Sequence, residues 1–392
     1  FQAVEVLAEP WSISAGVQRS IHVLLLFGLL VTLVLAWYHG EKGQQRVSGP
    51  ELLWVFGLLV LTGGALSMVR ASRPSSEPAP SARTVDPRPS LAALPFANLS
   101  AEATDGYLAD GVHDEVLNHL AKIGGLRVVS RTSVMEYREA DKNLTTIASE
   151  LGVGAVLEGS VQRVGNRVRV SAQLIDARAD EHLWGETFDE ELTLVGLLDM
   201  QAEIARRIAS ALRAELTPEE SARIESRPTQ HLGAYQAYLR GRHFLHLPHF
   251  TIENLTRALD EFERAVALDS TFALAHAELA EGHAQLVYYW ADASEQRRER
   301  AAVAAQRAVE LDPSSARVRL VLGLQHLWLD RDPVRALAEI ALAEGGLPND
   351  PDVYEARAAV YELQGRFREA VDEYRRVLDL SPRDASIYTG LI

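Results

Sequence analysis

The sequence predicts a multi-domain chain of three parts: a transmembrane helical hairpin, then an α/β domain with a mixed sheet, then an all-α superhelix of repeated helix pairs. Three observations predict this fold class. Two long segments carry no formal charge, and the stretch after residue 90 alternates between strand-like and helix-like patterns. From residue 232 onward, small and aromatic residues recur with a period of about 34 residues.

The helical hairpin is predicted within residues 1–69. Residues 21–38 and residues 52–69 each form a run of 18 residues without a formal charge. As helices they would each span about 27 Å, which is close to the hydrocarbon thickness of a bilayer. Trp37 and Trp54 lie near the ends of the two runs, where indole rings favour the headgroup zone. We therefore expect both segments to contact the lipid bilayer.

The charges that flank the hairpin leave its orientation open. Lys42 and Arg46 lie in the short loop between the two runs, and positive loops favour the cytoplasmic side. That orientation places the rest of the chain in the periplasm. Arg70 and Arg73 follow the second run and favour the opposite orientation.

Composition excludes several classes of function. The 392 residues include no cysteine and carry a formal net charge of −15. The lack of cysteine excludes disulfides, thiolate catalysis and Cys-ligated zinc. The acidic balance argues against nucleic-acid binding, which requires a basic surface to displace counterions from phosphate. We therefore expect no nucleic-acid partner.

A linker and an α/β domain are predicted next. Residues 70–90 contain five prolines and no apolar periodicity, which is typical of an extended spacer. Residues 91–217 predict strands and helices in the order β-α-β-α-β-β-β-α. Arg167 to Ile175 alternates apolar and polar residues as a half-buried strand does, and Leu197 to Leu216 has the apolar spacing of an amphipathic helix. This order predicts a mixed sheet covered by helices.

Several motifs of this α/β domain resemble the FlgO/TolB amino-terminal-like family. They are LPFANLS (94–100), YLADG (107–111), LRVVSRTS (126–133), LEGSV (157–161), RVRVSAQLID (167–176) and HLW (182–184). The resemblance covers about residues 91–216. It implies an envelope-associated module without catalysis, and thereby a location at the bacterial inner (plasma) membrane with the soluble part in the periplasm.

The repeats over residues 232–392 resemble tetratricopeptide repeats (TPR). The clearest unit begins at Pro351 and carries the family pattern at Tyr354, Ala358, Tyr361, Ala370, Tyr374 and Pro382. Earlier units begin near Ala234, Ala273 and Ala316, and Ala385 starts a fifth unit that is cut short. The resemblance implies four stacked units, because one helix pair cannot bury its apolar face alone.

The sequence shows no catalytic constellation and no cofactor motif. His243, His246 and His249 are close in sequence, but Pro248 interrupts the helix between them and no nearby carboxylate or cysteine completes a metal site. Gly152-Val153-Gly154 precedes a strand, whereas the dinucleotide-binding motif follows one. We therefore expect a protein that is not an enzyme and holds neither a cofactor nor a metal.

A protein or peptide partner is predicted in the groove of the TPR array, which the first helix of each unit lines. The candidate partner-binding residues are Tyr235, Tyr238, Arg242, Leu245, Glu281, Tyr288, Tyr289 and Trp290. Aromatic and arginine side chains are typical of peptide recognition. The alternative is that about half of these aromatic residues fill the core between repeats.

The leading hypothesis for function is a membrane-anchored scaffold whose TPR array binds a protein partner. The alternative is the sensory or regulatory half of a signalling protein, such as a kinase, an adenylate cyclase or a winged-helix regulator. Its effector domain would then lie upstream of Phe1. The first residue is not Met and the last repeat is incomplete, so we expect this chain to be part of a longer one.

Overall fold

The computed structural model describes residues 86–102, 105–138, 142–247, 251–384 and 387. In this part of the chain, no helix is both long enough and apolar enough to cross a membrane. Even the 18-residue helix Leu194–Ala211 carries charged residues along one side, including Asp199, Glu203 and Arg206, as expected of a helix that packs on a sheet.

The predicted fold class, with its transmembrane hairpin, is therefore corrected. The described fold has two parts, an α/β domain and a helical array, and neither contains a membrane span. The predicted spans, 21–38 and 52–69, lie outside the described residues. The predicted contact with a lipid bilayer has no support in this fold, and the location at the inner membrane stays a prediction.

A six-stranded mixed sheet forms the centre of the α/β domain. Its strands are β1 (Ser90–Ala93), β2 (Ala97–Asn98), β3 (Arg127–Val128), β4 (Ala155–Val164), β5 (Arg167–Asp176) and β6 (Glu181–Glu191). The main order is β3-β1-β4-β5-β6, with β2 paired to β4. Strands β1, β2 and β3 run parallel to their neighbours, and β4, β5 and β6 form an antiparallel meander. The predicted mixed sheet is thus present.

Five helices belong to this domain. They are α1 (Gly106–Ala121), α2 (Arg131–Val134), α3 (Leu144–Leu151), α4 (Leu194–Ala211) and α5 (Pro218–Ile224), with a 3-10 turn at Met135–Tyr137. Sequence chemistry sets several of their ends. The Asn143 side chain caps the first turn of α3, and Gly152, in the left-handed region at φ 66°, ends that helix. Thr217 and Glu220 form a capping box at the start of α5.

Apolar and polar residues alternate along β5 as predicted, so that its alternating apolar side chains lie on the buried face of the sheet. Val168, Val170 and Leu174 are fully buried, whereas Arg167 and Arg169 are exposed. The buried side chains share a core with the apolar faces of α1 and α4. A smaller cluster lies on the opposite face, beneath α3. Helices therefore pack on both faces of the sheet at β1 and the start of β4, whereas the second face of β5 and β6 is largely open to solvent.

Four helix pairs follow and form the array. The pairs are α6 (Leu232–Leu245) with α7 (Ile252–Leu268), α8 (Ala273–Tyr288) with α9 (Glu295–Leu311), α10 (Ala316–Gln325) with α11 (Pro333–Glu344), and α12 (Pro351–Leu363) with α13 (Phe367–Leu380). A π-helical turn at His326–Asp330 extends α10. The four units begin at the positions that the sequence predicts.

Small residues let neighbouring helices of the array, within a pair and between pairs, approach each other closely. A methyl group on Gly282 of α8 would lie only 2.8 Å from Leu259 of α7, and one on Gly323 of α10 would lie 2.9 Å from Ile340 of α11. Gly241 of α6 is similarly covered by the ring of Phe262. Because real side chains do not tolerate such distances, these positions must remain small for the helices to pack.

The α/β domain and the array are parts of one compact unit that begins at Asp86. A single hydrophobic core extends from Leu91 in β1, through α1 and α4, to Val321 in α10. Helix α6 packs directly on α1, with Leu239 seated over Gly111. The boundary predicted between residues 217 and 232 therefore separates two kinds of structure that share one core.

Candidate functional site

The array curves back so that its far end also contacts the α/β domain. The Ser130 amide donates a hydrogen bond to the Leu380 carbonyl at 2.8 Å, and the Ser381 hydroxyl donates to the Ser130 hydroxyl at 2.6 Å. Arg383 pairs with Glu136 at 2.5 Å. These contacts join the end of α13 to the segment that follows β3. The inner surface of the array therefore faces the α/β domain at both ends.

A second contact of this kind comes from the turn between α11 and α12. The Asn349 side chain donates to the Ile123 carbonyl at 2.8 Å, and its backbone amide donates to the Ala121 carbonyl at 3.2 Å. We call Asn349, Ser381 and Arg383, with their partners, the polar latch. The latch holds the third and fourth helix pairs against the end of α1 and the residues after β3.

Between the latch and the first helix pair lies a cavity of about 1380 Å³, which we call the lumen. The first helix of every pair contributes to its wall, as predicted for the groove. Representative residues are Arg242 of α6, Glu278 of α8, Arg317 of α10 and Glu355 of α12. The opposite wall comes from α1 and the segment after β3, including Asp114 and Arg131.

A chain of ion pairs crosses the array wall of the lumen. Glu278, only 1% exposed, accepts from Arg242 at 3.3 Å and from Arg317 at 3.2 Å. Arg317 also reaches Glu281 at 2.6 Å. Burial opposes ionisation of Glu278, but the two guanidinium groups beside it lower its pKa. Because breaking a buried pair leaves an uncompensated charge, these residues lock three consecutive units together.

A second charged cluster joins the α/β domain to the first helix pair. Asp110 of α1 accepts from His243 at 2.7 Å and from Arg138. Burial would raise the pKa of Asp110, but these two hydrogen bonds lower it overall. His246 lies near Asp114, and burial lowers the pKa of His246 to about 3. His246 is therefore neutral at physiological pH.

Three carboxyl groups of the array wall remain under-compensated. Glu281, Asp350 and Glu355 each have a pKa raised to about 7, in every case mainly by burial. The next cause for Glu355 and Asp350 is repulsion from Asp352. In the described part of the chain, Glu355 has no ion-pair or hydrogen-bond partner. The wall thus holds carboxyl groups that are only partly ionised at neutral pH and that a cation in the lumen would help to ionise.

Aromatic rings lie beside these carboxylates. Tyr288 and Tyr289, at the end of α8, are 51% and 52% exposed, and both line the lumen. The Tyr288 ring lies 5.3 Å from the Trp328 ring, between centroids, and 5.2 Å from the Tyr289 ring. Burial, and then Tyr288 and Glu355 nearby, raise the pKa of Tyr289. We call Tyr288, Tyr289, Trp328 and Glu355 the aromatic–acidic mouth.

The structure places the eight candidate partner-binding residues in different environments. Tyr235 and Tyr238 are 0% and 2% exposed and belong to the core shared with the α/β domain. The Tyr235 hydroxyl donates to the Gln201 side chain at 2.8 Å, and the two tyrosine rings stack at 6.3 Å. The Tyr235 ring is therefore used inside the protein, whereas Tyr238, although buried, also borders the lumen.

The other candidates lie at or near the lumen. Arg242 and Glu281 belong to the chain of ion pairs, and Leu245 is a half-buried wall residue. Tyr288 and Tyr289 belong to the aromatic–acidic mouth. Trp290, the next residue, is 80% exposed and has a positive φ of 58°. The prediction that these residues bind a partner stays a prediction.

Sequence reasoning missed Glu278, Arg317, Glu355 and the α1 residue Asp114. The sequence could have indicated Glu278, Arg317 and Glu355, because the first helix of each repeat carries a charged residue within its first few turns. Asp114 has no such signal, since its partner Arg131 is 17 residues away and belongs to another element. In the residues that the structure covers, no group of three or more histidine, aspartate and glutamate side chains is arranged to hold a metal ion.

Comparison with protein families assigns the two parts separately. Residues 87–207 match the family described as the HilA/YgeH-like transcriptional regulator, second domain. Residues 351–384, which contain α12 and α13, match the tetratricopeptide repeat. The predicted TPR array is thereby confirmed. The predicted likeness of the α/β domain to the FlgO/TolB family is not confirmed, because a different family matches this region.

The chain is also similar to a protein of Rhizobium meliloti (strain 1021) named putative adenylate cyclase 3. The two sequences are 31% identical over 329 residues, which cover 84% of this chain and 53% of the relative. The chain therefore spans about half the length of the curated relative that it matches.

Two solved structures are TPR proteins that resemble this chain. One is a thermophilic TPR protein of Thermus thermophilus, with 20% identity, a TM-score of 0.33, and coverage of 50% of this chain and 89% of that one. The other is YrrB, a TPR protein with an unusual peptide-binding site, with 16% identity, a TM-score of 0.29, and coverage of 50% and 90%.

Proposed function

We propose that this TPR-containing chain is a non-catalytic interaction scaffold that holds a polypeptide partner in its lumen. One observation carries the proposal: the first helix of all four repeats contributes to a single cavity of about 1380 Å³. Pockets for small molecules are typically about 300–1,000 Å³. A larger lumen lined by four successive repeats suits an extended peptide.

The distribution of exposed rings supports the same function. Tyr288 and Tyr289 remain about half exposed although they line a cavity. Exposed aromatic residues with a polar tip are typical of the residues that carry binding energy at interfaces. The buried ion pairs of Arg242, Glu278 and Arg317, in contrast, join one repeat to the next. These pairs support the wall, and the aromatic–acidic mouth is the part that faces a partner.

A photo-crosslinking experiment tests this function in the full chain. A photoreactive phenylalanine analogue replaces Tyr289 in the mouth or, as a matched control, Phe367, which is 67% exposed outside the lumen. We expect a crosslinked polypeptide from position 289 and none from position 367 at the same level of expression. Equal crosslinking from both positions, or none from position 289, would contradict the proposal.

A second candidate function is the regulatory half of a signalling enzyme. The likeness to a protein named putative adenylate cyclase 3, over 84% of this chain but about half of that protein, favours it. An effector domain would then lie outside the matched region. In this arrangement, binding in the lumen would open or tighten the polar latch and so bias the effector, since a ligand shifts an equilibrium between two states only by differential affinity.

The latch provides a test of the second candidate. Arg383→Ala removes the ion pair with Glu136 in the latch. The control, Arg375→Ala, removes an exposed ion pair with Asp372 that lies within α13. The full natural gene product is expressed in cells that lack their own adenylate cyclase, and cyclic AMP is measured. We expect cyclic AMP to change for Arg383→Ala alone. Identical output from both variants and the parent protein would exclude this candidate.

A further inference from the structure

The charge on the lumen wall is uneven. Among the described residues that line the lumen, nine have carboxyl groups and six have cationic side chains, and three of the carboxyl groups are only partly ionised at neutral pH because their pKa is about 7. The excess of acidic residues is larger on the array side of the lumen, where seven carboxyl groups lie with two cationic residues, Arg242 and Arg317. A concave surface with low-dielectric walls concentrates such a field, so it attracts cations and repels anions.

The mouth adds a second property, the ability to bind a cation by its rings. The Tyr288 ring contacts both the Tyr289 ring and the Trp328 ring, with centroid distances of 5.2 Å and 5.3 Å. The face of an aromatic ring attracts ammonium and guanidinium groups. Glu355 lines the lumen together with Tyr289 and Tyr374. It also helps to raise the pKa of both phenols, after the larger effects of burial and of Tyr288 or Glu362. A ring cluster beside an unpaired carboxylate is the arrangement that holds an Arg or Lys side chain.

An independent observation on the opposite wall indicates a missing donor. Asp114 is 2% exposed and lines the lumen, and one of its oxygens, Oδ1, pairs with Arg131. The other oxygen, Oδ2, is buried and has no hydrogen-bond partner among the described residues. A buried nitrogen, His246 Nε2, lies 3.9 Å away and also has no hydrogen-bond partner among the described residues. A buried acceptor of this kind is costly unless a donor fills the gap.

We propose that the lumen binds a basic polypeptide segment, with an Arg or Lys side chain seated between the rings of Tyr288, Tyr289 and Trp328 and the carboxylate of Glu355. This inference rests on the proposed function and names the class of partner. A donor from the same segment satisfies Asp114 on the opposite wall. An acidic or neutral segment gains neither the cation–π contacts nor the electrostatic attraction.

Binding of three short synthetic peptides to the full chain tests the inference. The peptides have the same length and differ in carrying Arg, Gln or Glu at alternate positions, and fluorescence anisotropy is measured at fixed ionic strength. We expect the Arg peptide to bind at least about ten-fold more tightly than the Gln peptide, and the Glu peptide not to bind. Equal affinity for the Arg and Gln peptides would overturn the inference.

Two variants and one control locate the binding. Glu355→Gln removes the unpaired carboxylate, and Tyr289→Ala removes one ring. Each is expected to weaken the Arg peptide about five-fold, which is the size of one exposed cation–π contact or ion pair. Glu299→Gln changes an exposed glutamate on α9 outside the lumen and is expected to leave the affinity unchanged. An equal loss in all three variants, or none in Glu355→Gln, would overturn the inference.

The remaining outcomes separate this inference from the proposed function. If spermine competes as strongly as the Arg peptide, the site binds free cations and the choice of a peptide is wrong. If position 289 crosslinks to a cellular polypeptide whose contacting segment is acidic or neutral, the scaffold function stands and the basic partner is wrong. If no peptide binds and no crosslink forms, both are wrong. Thermal melting of each variant confirms that the fold is retained.

Discussion

The two ends of the TPR array are attached to the α/β domain in different ways. The first helix pair is fused to it through a buried apolar seam, in which Leu239 packs over Gly111 and Tyr235 is completely enclosed. The last two pairs meet the domain through the polar latch of Asn349, Ser381 and Arg383. An apolar seam separates only if the core is opened, whereas a polar contact can exchange its partners for water.

This difference indicates at which end the array can separate from the α/β domain. Separating the seam would expose apolar surface to water, and no contact with water compensates for that loss. The first helix pair should therefore remain attached under all native conditions. Each bond of the latch contributes about 0.5–1.5 kcal/mol after competition with water, which is less than the burial of a large apolar side chain. We therefore expect the lumen to open at the latch. Such an opening would admit a long peptide without unfolding the array.

The largest expected effect comes from breaking the seam. Leu239→Ala removes a side chain that is 1% exposed and should lower the free energy of unfolding by about 2–5 kcal/mol, because transfer and cavity terms add. The measurement is urea denaturation of the full chain. Leu342→Ala, at a position 58% exposed on α11, serves as the control. A loss no larger than that of the control would show that the seam is not part of the core.

A smaller effect is expected at the buried part of the latch. Asn349→Ala leaves the Ile123 carbonyl without its side-chain donor and should cost about 1–3 kcal/mol, the usual penalty for an unsatisfied buried group. The same urea titration measures it, with Gln306→Ala on the exposed face of α9 as the control. A cost equal to that of Leu239→Ala would contradict the contrast between seam and latch.

A local effect is expected at the end of α13. Ser381→Ala removes the hydroxyl that bonds to Ser130 and should cost about 0.5–1.5 kcal/mol. Because the latch opens without global unfolding, the Ser130 amide should exchange its hydrogen faster while the exchange of core amides stays the same. Ser314→Ala, in an exposed turn, is the control. Uniformly faster exchange throughout the chain would mean that latch and seam open together.

The smallest effect is a dependence on pH that arises in the lumen. The pKa of Glu355 is raised to about 7 in the folded chain, from an ordinary value of 4.5, mainly by burial and then by Asp352 and Asp384. The folded state therefore holds this proton more tightly than the unfolded state does. Its protonation stabilises the fold as the pH falls through 7, and that stabilisation is absent at pH 8.

Comparison of Glu355→Gln with the parent protein isolates this contribution. The variant should melt at a higher temperature than the parent at pH 8, and the difference should shrink at pH 6. Buried neutral histidines, such as His246 and His283, add their own dependence as the pH falls below 6.5, but both proteins share it and it cancels in the difference. A difference in melting temperature that is the same at both pH values would contradict the raised pKa of Glu355.

Most of the secondary structure could be predicted because it follows from local patterns. The alternation of Val168, Val170 and Leu174 predicts β5, and the repeat offsets predict all four helix pairs, since both depend on residues close in sequence. The hairpin of the predicted fold class has no counterpart in the described fold, which contains no membrane span. The sequence could not show which groove aromatics are buried, because Tyr235 and Tyr238 occupy groove positions yet lie inside the shared core, and the binding of a partner by the candidate residues stays a prediction.

The sequence by itself determined the order of the strands and helices apart from β2 and α5, the four repeats and the acidic character of the chain. Only the tertiary structure decided that the array closes on its own α/β domain, because that closure depends on partners such as Ser130 and Ser381, which are 251 residues apart. The tertiary structure also decided which carboxylates are paired with cations. Glu278 and Glu355 lie in equivalent helices, but Glu278 pairs with two guanidinium groups and Glu355 pairs with none among the described residues. The strength of each ion pair depends on the distance between its charges, which the packing of the helices sets and which the sequence pattern does not reveal.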